Sequence, residues 1–380
     1  MHHRITPRVS LGVAQALVVL AGVLAAAGCG AGDESAAPGS SAQPSVRSMQ
    51  LVTTTHGWVL TSERLLWSAG TQASSRDITP AREEAAKLKA VFFLDSLRGW
   101  AVAQAGRSTE ATDFTVFRTV DGGESWRSGA FAASAAASDS VSLDFLDGQH
   151  GWALVRLETS TNFSRGELYG TKDGGATWTQ LSAPVGGQIR FASPSVGFLA
   201  GGAAGDELYV TRDGGVSWER QSVVAPAPFR SAQPVYGVPT FAEDGSGVLP
   251  VTFAGIPSGV SFYVSRDAGV AWQLAGAIVL REPVEQGVPV PADVASPGDW
   301  VVTSPDGARV YPTRDAGKTW NEIAPNGLPA GVTAIDFASG SIGWGLIESA
   351  HCAGFKTDCT VVGELRKTID GGQTWEQLHP

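Results

Sequence analysis

The feature that most constrains this chain is a short motif written six times. It closes residues 119–126 (T-V-D-G-G-E-S-W), 171–178 (T-K-D-G-G-A-T-W), 211–218 (T-R-D-G-G-V-S-W), 265–272 (S-R-D-A-G-V-A-W), 313–320 (T-R-D-A-G-K-T-W) and 368–375 (T-I-D-G-G-Q-T-W). Its aspartates, Asp121, Asp173, Asp213, Asp267, Asp315 and Asp370, are spaced by 52, 40, 54, 48 and 55 residues. A period near 50 is the size of one propeller blade.

A second element precedes each copy: an alternating strand, a short turn, then Gly-Trp or a relative. It stands at His56-Gly57-Trp58, Arg98-Gly99-Trp100, His150-Gly151-Trp152, Val196-Gly197-Phe198, Ser246-Gly247-Val248, Gly298-Asp299-Trp300 and Ile342-Gly343-Trp344. That makes seven units. The first has Leu65-Leu66-Trp67-Ser68 but carries Gly70-Thr71 where the Asp turn belongs. The repeat accounts for all twelve Trp: five in the Gly-Trp element, Trp67, and Trp126, Trp178, Trp218, Trp272, Trp320 and Trp375 closing the turns. Asp at the turn can accept the following backbone N–H groups, Gly supplies positive φ, and the Ser or Thr before Trp can bond locally. The ring itself buries a large face between neighbouring sheets while its N–H seeks a carbonyl. Alternation such as Val141-Ser142-Leu143-Asp144-Phe145 reads as half-buried strand. The expectation is an all-β, seven-bladed propeller of four-stranded blades, with a turn or two of helix over residues 81–87. The alternative is six regular blades plus an irregular N-terminal unit.

Composition narrows the setting. The 27 Lys plus Arg against 37 Asp plus Glu disfavour a nucleic-acid partner, which needs a concentrated basic surface. Residues 1–28 read as a basic start followed by an apolar run, a secretory signal. The segment Leu24-Ala25-Ala26-Ala27-Gly28-Cys29 resembles the bacterial lipobox. That resemblance implies diacylglycerol on Cys29 and a protein lipid-anchored to the cell membrane, facing the extracytoplasmic side; an uncleaved membrane helix is the rival, with the body outside the cytoplasm either way. Residues 29–48, rich in Gly, Ala, Ser and Pro, read as a flexible tether with a reach of about 25 Å, and residues 49–380 as the propeller. Cys352 and Cys359, with six residues between them, are expected to pair in an oxidising compartment, which would contribute roughly 2–3 kcal/mol. A metal site there would need His partners, and only His351 is near.

The repeated S/T-x-D-x-G-x-T/S-W resembles the Asp-box, or BNR, repeat of sialidase-like and sortilin-like propellers. Combined with the F-x-D-x-x-x-G-W spacing it is most similar to the propellers of photosystem II stability and assembly factors, over roughly residues 49–380. The resemblance implies a structural role for the six Asp, on the face away from the usual ligand site, and six equivalent copies argue the same way. It leaves function open, because this fold serves scaffolds and hydrolases alike.

Catalytic constellations find little support. A sialidase needs a Tyr nucleophile assisted by Glu and three Arg; yet Tyr169, Tyr209, Tyr263 and Tyr311 share one repeated strand position, and only Tyr236 stands outside it. Glu282, Glu285, Asp293 and Asp299 are expected to be solvated surface charges. No H-E-x-x-H, G-x-S-x-G, C-x-x-C or phosphate-loop pattern occurs, and no cofactor or metal is expected. What remains is a binding surface on the loops opposite the Asp turns, with Phe163, Arg165, Phe229, Arg230, Phe355 and Lys356 as candidate contacts. The leading reading is a tethered scaffold or assembly factor for an envelope or membrane protein. The alternative is an extracytoplasmic glycan-binding protein or sialidase-like glycoside hydrolase.

Overall fold

The computed structural model describes residues 44–69, 75–80, 85–159, 164–352 and 359–380. Seven antiparallel sheets follow one another along the chain, each built from one contiguous stretch. Residues 46–77 form blade 1, 88–134 blade 2, 137–181 blade 3, 187–221 blade 4, 233–279 blade 5, 292–313 blade 6 and 332–378 blade 7. The innermost strands are Val46–Leu51, Leu88–Phe93, Ala137–Phe145, Gly187–Phe191, Gln233–Tyr236 with Thr240–Phe241, Ala292–Val294 and Val332–Phe337. The result is a seven-bladed β-propeller. The six-blade alternative fails because the N-terminal unit makes a complete four-stranded sheet, with Trp67 opposite Arg76 on its outermost strand. The helix expected over 81–87 is a 3-10 turn at Ala85–Lys87; residues 81–84 lie outside the described set.

Irregularity falls instead on blades 5 and 6. Blade 6 has a three-stranded ladder, and beyond it only the Val310–Ile323 bridge stands where a fourth strand would be. Pro312 gives the reason: its carbonyl accepts the Asn321 N–H, but it has no N–H to return. In blade 5 the innermost strand is split in two, both pieces pairing with Gly247–Ala254.

The six Asp turns share one bonding pattern. The Asp Oδ1 accepts the backbone N–H four residues on, at 2.9–3.0 Å. In five of them its Oδ2 also accepts the Ser or Thr hydroxyl at that position, at 2.5–2.6 Å. In the Asp267 turn Ala271 has no hydroxyl to offer. The next residue donates its N–H to the carbonyl of the blade's other turn on the same face, as Gly122 does to Leu97 and Gly174 to Gln149, both at 2.8 Å. That residue is left-handed throughout, and in two turns it is not glycine: Ala268 has φ 54° and Ala316 φ 57°.

The Gly-Trp element has an equally local cause. A Cβ on Gly151 would sit 2.2 Å from the Phe145 ring, and one on Gly99 2.5 Å from Phe93, so only glycine lets the innermost strand's terminal Phe lie flat on its neighbour. That Phe takes a ring on each side. Phe145 stacks on Trp100 of blade 2 at 3.8 Å and meets Trp178 of its own Asp turn edge-on. Phe191 repeats the arrangement with Trp152 and Trp218. Trp100 and Trp152 also donate their indole N–H to Gly174 and Gly214 in the next blade's Asp turn. The two motifs therefore join blade to blade.

Among the described residues no strand is exchanged between first and last blades. The ring closes by packing: Val46, Met49, Leu51 and Val59 of blade 1 share one core with Ala334, Trp344, Leu346 and Leu365 of blade 7. The Gly363 N–H donates to Ser45 Oγ at 2.8 Å across the joint.

The alanines at positive φ yield a prediction. Replacing Ala268 or Ala316 by Gly relieves a left-handed Cβ clash of about 1–2 kcal/mol, partly offset by the added freedom of the unfolded chain. Each substitution should raise the stability read from denaturant unfolding by about 0.5–1 kcal/mol. A loss at either site would contradict the strain argument.

Candidate functional site

One position recurs in the joints between blades, the residue before the last of each innermost strand. Four side chains there reach across to the next blade's backbone. Gln50 Oε1 accepts the Phe93 N–H at 3.4 Å, Asp144 Oδ2 that of Phe191 at 2.5 Å, Asp293 Oδ2 that of Phe337 at 2.6 Å, and Asp336 Oδ2 that of Leu51 at 2.7 Å. The last bond closes the ring. Arg190, at the same position of blade 4, donates to Asp144 Oδ1 at 3.1 Å, and both are buried. Asp293 is therefore no solvated surface charge, contrary to expectation: it is 2% exposed, because its place on an innermost strand points it into the channel.

Burial pushes the Asp336 carboxyl well above the usual carboxylate range, and the neighbouring Asp293 charge pushes it further; the Leu51 N–H and Arg190 pull only partly back. Burial also raises Asp144, against the pull of Arg190 and the Phe191 N–H. The Asp turns behave oppositely. The Ser125 hydroxyl and N–H hold Asp121 down at about 2, and Thr177, Ser217 and Thr319 do the same for Asp173, Asp213 and Asp315.

The tyrosines are likewise engaged. Tyr169 donates to Glu167 Oε2 at 2.8 Å inside the interface of blades 2 and 3, and Tyr209 to Glu207 Oε2 at 2.6 Å. Burial raises the Tyr169 phenol and the Glu167 bond raises it further, so a nucleophilic phenolate is disfavoured there.

On the loop face Arg165 and Arg230 are exposed as expected. Phe229 is not: it is fully buried, stacked at 5.1 Å on Phe253. Phe163, Phe355 and Lys356 lie outside the described residues, as do Cys29 and residues 1–43. Cys359 is disulfide-bonded, and the residue opposite it in the last hairpin is Cys352. Among the described residues no group of three His, Cys, Asp or Glu stands close enough to hold a metal ion.

Two cavities occupy the channel. The smaller, about 100 Å³, lies between blades 1 to 5 and is bordered by Ser48, Ser142, Arg156, Gln188 and Arg190. The larger, about 480 Å³, opens at the Asp-turn end between blades 1, 5, 6 and 7. Sequence reasoning missed this one, since its walls come from strand ends some 290 residues apart, Leu51 to Ala338.

No family model and no curated protein matches the sequence. Among solved structures, the chain is similar to a GH74 xyloglucanase from Xanthomonas campestris, with a TM-score of 0.55 at 14% identity over 89% of this chain and 55% of that one. The chain thus spans about half the length of that enzyme. YCF48 from Cyanidioschyzon merolae gives a TM-score of 0.47 at 16% identity, covering 76% of this chain and 84% of its own. A Trypanosoma rangeli sialidase gives 0.36 at 16% identity, over 80% and 48%. At these identities the likeness establishes the fold, a β-propeller, and nothing finer.

The opposed shifts predict the pH dependence of stability. The Asp-turn carboxyls, depressed to about 2, contribute stability above the unfolded value of about 3.9 that is lost as pH falls through that window. Asp336 has the opposite sign: its folded form holds the proton longer than the unfolded chain, so stability falls as pH rises above about 4 toward its folded value. Asp336→Asn keeps an acceptor for Leu51 and should flatten that higher-pH decline while leaving the acid limb unchanged. Urea unfolding across pH checks this; a shift of the acid limb instead would count against the assignment.

Proposed function

We propose that this protein is a lipid-anchored extracytoplasmic propeller that binds an envelope or membrane protein, as a scaffold or assembly factor, and performs no catalysis of its own. Cys29 carries the anchor, and the residues between it and the first strand, which begins at Val46, supply the reach. The observation that carries the reading is an apolar patch beside an arginine on the loop side of blade 5. Ile256, 93% exposed, stands in the loop between Gly247–Ala254 and Gly259–Ser265. The Gly255–Val284 bridge and the Gly259–Val279 pair bring Val279, half exposed, and the exposed charges of residues 281–285 alongside it. Phe229 supports the patch from below, its ring tip 2.4 Å from where a Cβ on Gly259 would lie, and so carries the exposed Arg230 to the same edge. Exposed aliphatic side chains with an arginine close by, here Ile256 and Val279 with Arg230, are residue types that recur in protein-binding surfaces.

A glycan-active reading needs two carboxyls presented to a sugar about 5–9.5 Å apart. Within the channel Asp144, Asp293 and Asp336 each hold a neighbouring blade's N–H, which weighs toward protein binding.

The test is crosslinking in intact cells, then purification of the detergent-solubilised protein and mass spectrometry. We expect one envelope protein in near-stoichiometric yield, lost from an Ile256→Asp/Arg230→Glu form that keeps the wild-type melting curve, and reduced in the unanchored Cys29→Ala form. Equal recovery by wild type and the double variant would refute the patch. Recovery of nothing from well-expressed protein would refute the scaffold reading.

A further inference from the structure

The loop-side patch leaves the 480 Å³ cavity at the Asp-turn end unexplained. Its volume falls within the range of small-molecule sites, about 300–1,000 Å³. Its walls are mainly apolar, with Leu51, Val248, Val294 and Phe337 prominent, and its charged lining is of one sign: Glu243 and Asp244, exposed at the rim, and the buried Asp293. Among the described residues no Lys, Arg or His lines it. Arg190, which borders the smaller cavity, is paired with Asp144.

Two further observations bear on what the cavity takes. Thr240 borders the cavity with its hydroxyl oxygen buried and without a hydrogen-bond partner, although a buried hydroxyl ordinarily finds one. Beyond Asp293 lies Asp336, whose proton affinity is raised both by burial and by the Asp293 charge, and whose Oδ1 has no partner either. A cation seated in the cavity would relieve that repulsion and give Thr240 a donor to accept from. A metal ion fits poorly, because no set of three metal-ligating side chains converges among the described residues.

We propose that this cavity binds an organic cation, an ammonium or guanidinium group on an apolar stem. The head lies toward Asp293 and Thr240, the stem lies along the Leu51, Val248 and Phe337 walls, and Glu243 and Asp244 draw the charge in at the mouth. The inference is independent of the loop-side patch, which lies on the opposite face. A free amine and a partner's lysine side chain offer the same chemistry, and the experiment separates them.

The experiment is calorimetric titration of the intact protein with hexylamine, hexanol, hexanoate and Nα-acetyl-lysine-N-methylamide at neutral pH. Hexylamine should bind saturably and at least about tenfold more tightly than hexanol, with hexanoate failing to compete. Binding of the lysine derivative in place of hexylamine assigns the cation to a protein side chain and upholds the site. The rim variant Glu243→Gln/Asp244→Asn should weaken binding several-fold. An equally charge-reduced control, Glu110→Gln/Glu219→Gln, removes exposed acids elsewhere and should leave binding unchanged. Thr240→Val tests the head position and should also weaken the amine. Equal affinity for amine, alcohol and carboxylate would overturn the proposal, as would equal losses in rim and control variants. So would failure of both cations to bind at up to about 10 mM.

Discussion

A ring of separately folded sheets depends on what crosses from one sheet to the next, and here the decisive crossing is a side chain bonding to a neighbour's backbone. Gln50, Asp144, Asp293 and Asp336 each accept an N–H from the following blade's innermost strand. These strands face the channel, where water cannot fully serve an orphaned amide, so an acceptor at this position satisfies a group that would otherwise be costly. The aromatic joints work alongside. Trp100 and Trp152 stack on the next blade's Phe and bond to its Asp turn, tying the joints between blades 2 and 3 and between blades 3 and 4. The joint between blades 7 and 1 uses the same inner bond: with no strand exchanged among the described residues, Asp336 and the Ser45–Gly363 bond act with the shared core to close the ring.

Much of this was legible in the sequence because the repeat states its own chemistry. Asp accepting ahead, hydroxyls bonding locally and a buried Trp at the end are what the six turns display. The glycine of Gly-Trp was legible as a marker but not as a cause, since the ring it accommodates sits six residues earlier, as Phe145 does for Gly151. Pro312 carried a readable signal for the missing ladder of blade 6, which the regular spacing of the Asp turns masked. Phe229 misled because a loop aromatic reads as a contact; two turns of chain fold it beneath Gly259 instead. Asp293 misled for the complementary reason, as Val-Pro-Ala-Asp-Val gives little sign of an innermost strand only three residues long.

The two proposed roles fall on opposite faces. On the loop side the connections differ in length and expose aliphatic groups with Arg165 and Arg230, suited to a protein surface. On the Asp-turn side identical turns leave a central mouth of acids and apolar walls, suited to a small cation. The same channel carboxyls serve both ring and cavity: Asp293 bonds Phe337 of blade 7 while lining the mouth. Occupancy of the mouth should therefore be felt at the joint between blades 6 and 7.

The most direct test of the account is residue-resolved hydrogen exchange of the Leu51, Phe191 and Phe337 amides. If side chains from the preceding blade hold the ring, these three exchange only as slowly as the central ladder amides of their own blades, through global opening, and Asp336→Ala accelerates Leu51 alone among them. Fast exchange of all three in the wild type would show that the ring is held by ring-to-ring packing and that the crossing bonds are incidental.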